Sequence, residues 1–356
     1  MQIPSRQEII REIKEKGGKL AAVLPFHYPR ALLRAHGIFP VEVWGPPGVD
    51  DMAGSRHFPE YTCKIVQKAT RFLTGPGAAP VDCILIPHTC DSLQGMASVM
   101  KDFLKPPQPL FTIYHPRGRR SSDLQFLTEE LRQPSGELAA FSGVRPTVQA
   151  LRDAMALEDR ATAVFSGIAS NREKYRVTDR EFYTLLRSRE YLPAETFIEV
   201  AEKLPSGKMD SPGPGLMLSG IVADPLDLFD RINEFGAHVC VDDLACCSRR
   251  VYRPAAQNDP FCAMAEQLMS MPPEPTVSSP YQERFDYIID RMKAGNAGGL
   301  LVYDVKFCEP ELFYLPMLEE RVLGEGFGFL YVETELAPVI PQTVLNRINA
   351  FIEVLS

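Results

Sequence analysis

The sequence contains no run of about 18 apolar residues, so no membrane-crossing helix is expected. Its opening, Ile3-Pro4-Ser5-Arg6-Gln7-Glu8-Ile9-Ile10-Arg11-Glu12-Ile13-Lys14, is charged and amphipathic. It lacks the apolar stretch of a secretory signal, and a cytoplasmic location is expected. No block of like charges occurs, and the formal net charge is -8. That balance offers no basic footprint for nucleic acid or an anionic membrane surface. GxGxxG and Walker A signals are absent, as is any short-period repeat. No two cysteines are spaced as Cys-x-x-Cys, so the usual ferredoxin and zinc-ribbon spacings do not occur. Eight cysteines are nevertheless present. In the cytoplasm they are not expected to form structural disulfides, so they read as buried small hydrophobes or as ligands.

What is present is an ordinary globular composition, 45% hydrophobic and 24% charged, long enough for two or three domains and a sizeable core. Strand and helix signals alternate from Lys19 to Tyr114. Strands are expected at Lys19–Leu24, Val41–Trp44, Asp82–Ile86 and Leu110–Tyr114, and helices at Tyr28–His36, Thr62–Leu73 and Leu93–Leu104. Gly45-Pro46-Pro47-Gly48 stops the second strand. A helical middle follows, with 3.6-residue spacing at Asp123–Arg132 and Arg145–Phe165, then Asp179–Arg187 and Pro193–Lys203. The Pro- and Gly-dense stretch from Leu204 to Gly215 reads as a linker. Alternation then resumes. Strands are expected at Leu216–Ile221, Ala237–Val241, Leu300–Val305 and Phe329–Glu333. Helices are expected at Pro225–Phe235, Pro260–Met269, Gln282–Ala294 and Thr343–Val354, with a Pro/Ser-rich spacer at Met271–Pro280. This pattern predicts an α/β protein of two Rossmann-like lobes with parallel sheets, residues 1–120 and 211–356, joined by a helical segment, 121–210.

Three cysteines stand near element boundaries. Cys90 closes the run Val81-Asp82-Cys83-Ile84-Leu85-Ile86-Pro87-His88-Thr89-Cys90, and Cys308 follows Gly299-Leu300-Leu301-Val302-Tyr303-Asp304-Val305-Lys306-Phe307. Each precedes an acid, Asp91 or Glu309. Cys63 sits upstream, in Glu60-Tyr61-Thr62-Cys63-Lys64. Ligands of open α/β sheets collect outside the carboxyl ends of strands. Three thiols meeting there would suit a soft metal or an iron–sulfur cluster with one iron free of protein thiolate. Taken singly, each is also an ordinary core cysteine. Cys83, Cys240 and Cys262 fit that simpler account.

At these residues the chain resembles the benzoyl-CoA reductase and 2-hydroxyacyl-CoA dehydratase family of ATP-activated iron–sulfur enzymes. The matching segments are Ala35-His36-Gly37-Ile38-Phe39-Pro40-Val41-Glu42-Val43-Trp44-Gly45, Tyr61-Thr62-Cys63, and Ile86-Pro87-His88-Thr89-Cys90-Asp91-Ser92. They continue with Ser219-Gly220-Ile221, Asp242-Asp243-Leu244-Ala245 before Ser248-Arg249, and Lys306-Phe307-Cys308-Glu309. The last are Glu333-Thr334-Glu335 and Asn346-Arg347-Ile348. The resemblance implies one [4Fe–4S] cluster held by Cys63, Cys90 and Cys308, its fourth iron taking water, hydroxyl or substrate. It implies an acyl-CoA substrate, a homologous second subunit in a homo- or heterodimer, and a separate ATP-dependent iron–sulfur activator that injects one electron. In dehydratases of the family that electron makes a ketyl radical and lets water leave a 2-hydroxyacyl-CoA. In the reductases an aromatic ring is reduced. An electron-relaying subunit without its own substrate is a further reading. An α/β protein with buried thiols and no metal is another.

The remaining candidates carry alternatives. His88 would hydrogen-bond a cluster sulfur or protonate an intermediate, or be a strand-end histidine held by backbone. Ser92 and Ser219 would offer hydroxyls near the open iron, or cap helices, the reading favoured for both. Cys246 and Cys247 fall where a double-cubane branch has an extra cysteine. Leu218-Ser219-Gly220-Ile221 lacks another thiol that branch needs, so a single cubane is favoured. Arg117, Arg119 and Arg120 would meet coenzyme A phosphates or form a solvated loop, and Arg249 would do the same or pair with Asp242 or Asp243. Trp44 would pack at a strand end or line an acyl pocket.

Overall fold

The computed structural model describes residues 2–46, 48–52, 56–75, 80–207, 213–277 and 279–356. Pro47 of the expected strand stop, residues 208–212 of the expected linker and Ser278 of the expected spacer lie outside this description. The first sheet comprises β1 (Lys19–Val23), β2 (Ile38–Glu42), β3 (Cys83–His88) and β4 (Leu110–Tyr114), in the order β2-β1-β3-β4. The second comprises β5 (Gly215–Gly220), β6 (His238–Leu244), β7 (Gly299–Val305) and β8 (Gly328–Thr334), in the order β6-β5-β7-β8. Every pairing is parallel. The two sheets therefore share one topology, and the fold is α/β with two Rossmann-like halves.

All residues of β3 and β7 are buried, as continuous apolar strands covered on both faces should be. One apolar cluster runs from Leu24 and Ile86 of the first sheet through Phe182 and Phe197 to Leu218 and Val305 of the second. The halves thus share a core. Glu42, at the end of β2, adds a polar link between them. It is fully buried and accepts from Tyr28 Oη at 2.8 Å, Trp44 Nε1 at 2.9 Å, Arg30 and Arg250.

Burial alone would raise the Glu42 pKa, but Arg250 and Arg30 outweigh it and hold it at about 2. An unfolded glutamate titrates near ~4.3. The folded value is the lower one, so Glu42 stabilises the fold above ~4.3, and this contribution fades as pH falls toward 2. The urea midpoint is expected to drop through that window. In Glu42→Gln it should start lower and change less between pH 5 and 3 (both bounds on the order of the window above).

The helical middle departs from the reading of the sequence. Helix α5 (Ser121–Ser142) does not stop at Arg132 but runs through Pro134, which is buried, to Gly143 at φ 78. It packs against α10 (Pro260–Met269), and tertiary contact overrides the Pro and Gly signals. Helix α6 (Val148–Ala169) starts three residues later than expected and packs on α2 (Arg30–Ala35) and α8 (Ala194–Ala201). The second strand ends at Glu42 rather than reaching Trp44. Helix α4 (Asp91–Val99) continues as a π turn, Met100–Leu104.

Candidate metal centre

The three singled-out cysteines occupy the same kind of position. Cys63 is the N-cap of α3 (Lys64–Thr74), Cys90 that of α4, and Cys308 that of α12 (Glu309–Leu312). Cys90 and Cys308 follow the third strand of each sheet, beside the point where strand order reverses. Ligands of such sheets bind there. Two glycines and a left-handed turn bring the elements close. At Gly45, φ 73, a Cβ would lie 3.0 Å from the Ile65 backbone in the first turn of α3. At Gly220, φ 136, it would lie 2.2 Å from the Tyr303 carbonyl oxygen on β7. Phe307, φ 65, turns the chain between β7 and Cys308. The Lys64 N–H then donates to the Lys306 carbonyl at 3.2 Å and ties α3 to the end of β7.

The thiols meet across this junction. Cys63 and Cys308 are buried, and each thiol lies close enough to shift the pKa of the other. The Cys308 thiol, with the backbone N–H groups of Ile65 and Val66, holds Cys63 below the usual thiol range. Cys308 is pushed well up by the neighbouring Cys63 thiol and by burial. Burial pushes Cys90 up to about 12, against the N–H groups of Leu93 and Ser92 and with the charge of Cys63 adding to the rise. Cys63 is thus within electrostatic reach of both other thiols, and each of the three stands at a helix start whose N–H groups favour negative charge.

Among the described residues no three His, Cys, Asp or Glu side chains surround a single metal ion. A cubane makes a different demand, because each thiolate binds its own iron and the sulfurs enclose a body rather than a point. Three soft donors, a dry setting and backbone N–H groups aimed at two sulfurs fit that group. Cys90 is the partly exposed member of the set. It lines a 450 Å³ cleft with Ser92, Arg117, Tyr281, Glu309 and Phe313.

Members of the family described as 2-hydroxyglutaryl-CoA dehydratase, D-component, share a sequence pattern that this chain matches over residues 25–355. The chain belongs to that family. It is 25% identical to the (R)-phenyllactyl-CoA dehydratase beta subunit of Clostridium sporogenes, over 98% of this chain and 95% of that protein. It is 25% identical to the (R)-2-hydroxyglutaryl-CoA dehydratase beta subunit of Acidaminococcus fermentans, over 89% and 87%. It is 22% identical to a benzoyl-CoA reductase subunit of Thauera aromatica, over 85% and 82%.

In this member of the D-component family the other candidates resolve as follows. His88 is buried, neither ring nitrogen has a hydrogen-bond partner among the described residues, backbone included, and burial lowers its pKa. Its ring stands edge-on to Tyr114, centroids 4.1 Å apart. Neither serine caps a helix. Ser92 is the second residue of α4, where Cys90 holds the cap, and it lines the cleft. Ser219 is buried in β5 and donates to Asp243 at 2.8 Å. Arg249 lies in the core and pairs with Asp243, Glu274 and Glu311. Arg117 donates to the Thr276 carbonyl at 2.7 Å and pairs with Asp91. Arg120 pairs with Asp123, and Arg119 faces Glu283 at 3.5 Å. Trp44 is buried beside Phe26 and also lines a 1070 Å³ cavity beneath the N-terminal helix, Arg6–Glu15. Cys246 and Cys247 are buried side by side, sulfurs 3.7 Å apart.

Two residues near the thiols escaped the sequence reading. Asp304, on β7, has one buried carboxyl oxygen without a partner, and burial and the charge of Glu311 push it well up. Glu311, which accepts from Tyr314 at 2.5 Å, faces Cys308. In the sequence Asp304 is masked by the apolar run around it, and Glu311 has no spacing that marks it.

Proposed function

We propose that this chain is an iron–sulfur subunit of a 2-hydroxyacyl-CoA dehydratase, with Cys63, Cys90 and Cys308 holding one [4Fe–4S] cluster. The observation that carries the reading is the convergence of three cysteines at helix N-cap positions, two of them at the carboxyl ends of like strands in the two sheets. The named relatives support it, two as dehydratase beta subunits and one as a reductase subunit. Ring reduction is the alternative activity. When bound, the cluster supplies one-electron chemistry at low potential that no side chain offers.

The chain's own residues contribute position, field and exclusion of water. The cap N–H groups stabilise negative charge at the sulfurs. The buried walls around Cys63 and Cys308 keep solvent from the inner face. The cleft beside Cys90 admits an acyl thioester, and Ser92 presents a hydroxyl to it. His88 has two uncommitted nitrogens beside the same strand end and is suited to move a proton. Arg117 and Arg119, at the rim, would meet the phosphates of coenzyme A at the cost of their present partners. In this reading a homologous second subunit and an ATP-hydrolysing iron–sulfur activator complete a cytoplasmic assembly.

Anaerobic purification with iron and sulfide analysis tests the proposal. About four of each per chain is expected for one cubane, and about eight would restore the double-cubane alternative. Absence of both would remove the metal reading. Adding a 2-hydroxyacyl-CoA should then alter the visible absorption of the cluster. An unaltered spectrum assigns this chain to electron relay.

A further inference from the structure

His88 has two buried neighbours of its own kind. His27 follows β1 and His115 follows β4. Because β1, β3 and β4 are adjacent, the three stand along one end of the first sheet. The rings of His27 and His115 lie 6.2 Å apart, and His115 feels the charge of His88. His27 Nδ1 meets Tyr252 Oη at 2.7 Å. Among the described residues its Nε2 and both nitrogens of His88 have no hydrogen-bond partner, and His115 meets only the His27 carbonyl.

A buried polar group left unpaired costs roughly 1–3 kcal/mol, so a cluster of them points to something that uses it. Among the described residues the carboxylate on the groove that reaches His115 is Glu283. His27 is faced by His115, Arg250, Arg249 and Tyr252, and His115 by the His27 carbonyl, His88 and Arg117. Burial and these cations keep both rings neutral, His115 at about 4. A 200 Å³ groove joins His115 to the outside past Arg119 and Glu283. It shares Arg117, Ser279 and Pro280 with the cleft at Cys90.

We propose that His27 and His115 form a proton-uptake site that charges when the Cys63–Cys90–Cys308 centre gains an electron. This rests on the iron–sulfur reading above. The balance is simple. One electron arrives from a low-potential reductant, one proton leaves water, travels the groove and forms one N–H bond on the pair, and the net charge of the region is unchanged. The physical cause is the added negative charge in a dry interior, which raises the proton affinity of a neutral imidazole with a free nitrogen.

The test is a redox titration of the anaerobically purified complex with dithionite and viologen mediators, followed by cluster absorbance at several pH values. In the wild type the midpoint should fall by ~59 mV per pH unit, which is a tenfold change in equilibrium constant per tenfold change in proton concentration for one electron. His115→Asn and His27→Asn should flatten the slope while iron and sulfide stay at wild-type content. His36→Asn, a buried histidine bonded to Ser135 and the Val144 carbonyl, should leave it unchanged. A flat wild-type profile, or the same slope in wild type and both variants, overturns the proposal. Should both variants lose iron, Tyr252→Phe removes only the hydroxyl at His27 and should shift the pH at which the slope ends. An unshifted profile there also overturns it. Absence of iron in the wild type removes the cluster reading and this proposal together, and the metal analysis reports that case separately.

Discussion

Replacing Cys308 by alanine is expected to cut bound iron and sulfide from about four per chain to a small residue, with activity falling on the order of 100-fold or more. Its thiol is the one contributed by the second half of the chain, and its presence beside Cys63 is the largest influence lowering the Cys63 pKa. Cys63→Ala and Cys90→Ala should behave alike. The informative controls are Cys83→Ala and Cys246→Ala. Cys83 is inside β3, where burial pushes its thiol up to about 12, and Cys246 is sealed beside Cys247. Both should keep full iron. Retention of full iron in Cys308→Ala would take that residue out of the ligand set.

The largest effect on stability is expected at Asp243. This carboxylate is fully buried and lies between two guanidiniums, Arg249 and Arg284, that are themselves 0% and 1% exposed at the side chain. It also accepts from Ser219. Burial alone would raise its pKa, yet the two arginines hold it far below the usual carboxylate range. Asp243→Asn leaves two buried cations short of a counter-charge, which should cost about 3–5 kcal/mol, read as a lower urea midpoint at unchanged slope. Glu274 and Glu311 still face Arg249, so the loss falls short of a fully isolated charge. By contrast Asp227→Asn, in an exposed pair with Arg180, should change stability by less than about 1 kcal/mol. Because Arg249 also holds Glu311 beside Cys308, Asp243→Asn should lower iron loading as well. A variant as stable as the parent would show that the arginines re-pair locally.

Much of the architecture was legible because parallel strands covered on both faces are written as unbroken apolar runs. Asp82–Ile86 and Leu300–Val305 carry no competing signal, and both fall within a residue or two of the observed strands. Helix ends were harder. Pro134 and Gly136 read as breakers, yet contact with α10 carries α5 through them, and no local rule contains that contact. Cys90 and Cys308 were visible through their places after apolar runs, and all three cysteines through a family resemblance. Their shared role as helix caps was not, since it depends on where each helix begins to within one residue. Ser92 differs for the same reason, since Cys90 takes the cap position expected of it, whereas Ser219 lies inside β5 and bonds Asp243. Arg249 pairs with Asp243, as its nearness in sequence suggested, but its other carboxylate partners, Glu274 and Glu311, are distant in sequence and come together only in the fold.

The divided origin of the thiols has a consequence for assembly. Two come from the first half of the chain and one from the second, on either side of a shared core. A cluster held by all three would act as a rivet through both halves, set only after each has folded and closed on the other. Its loss to oxygen would then loosen the whole molecule rather than merely silence one corner of it.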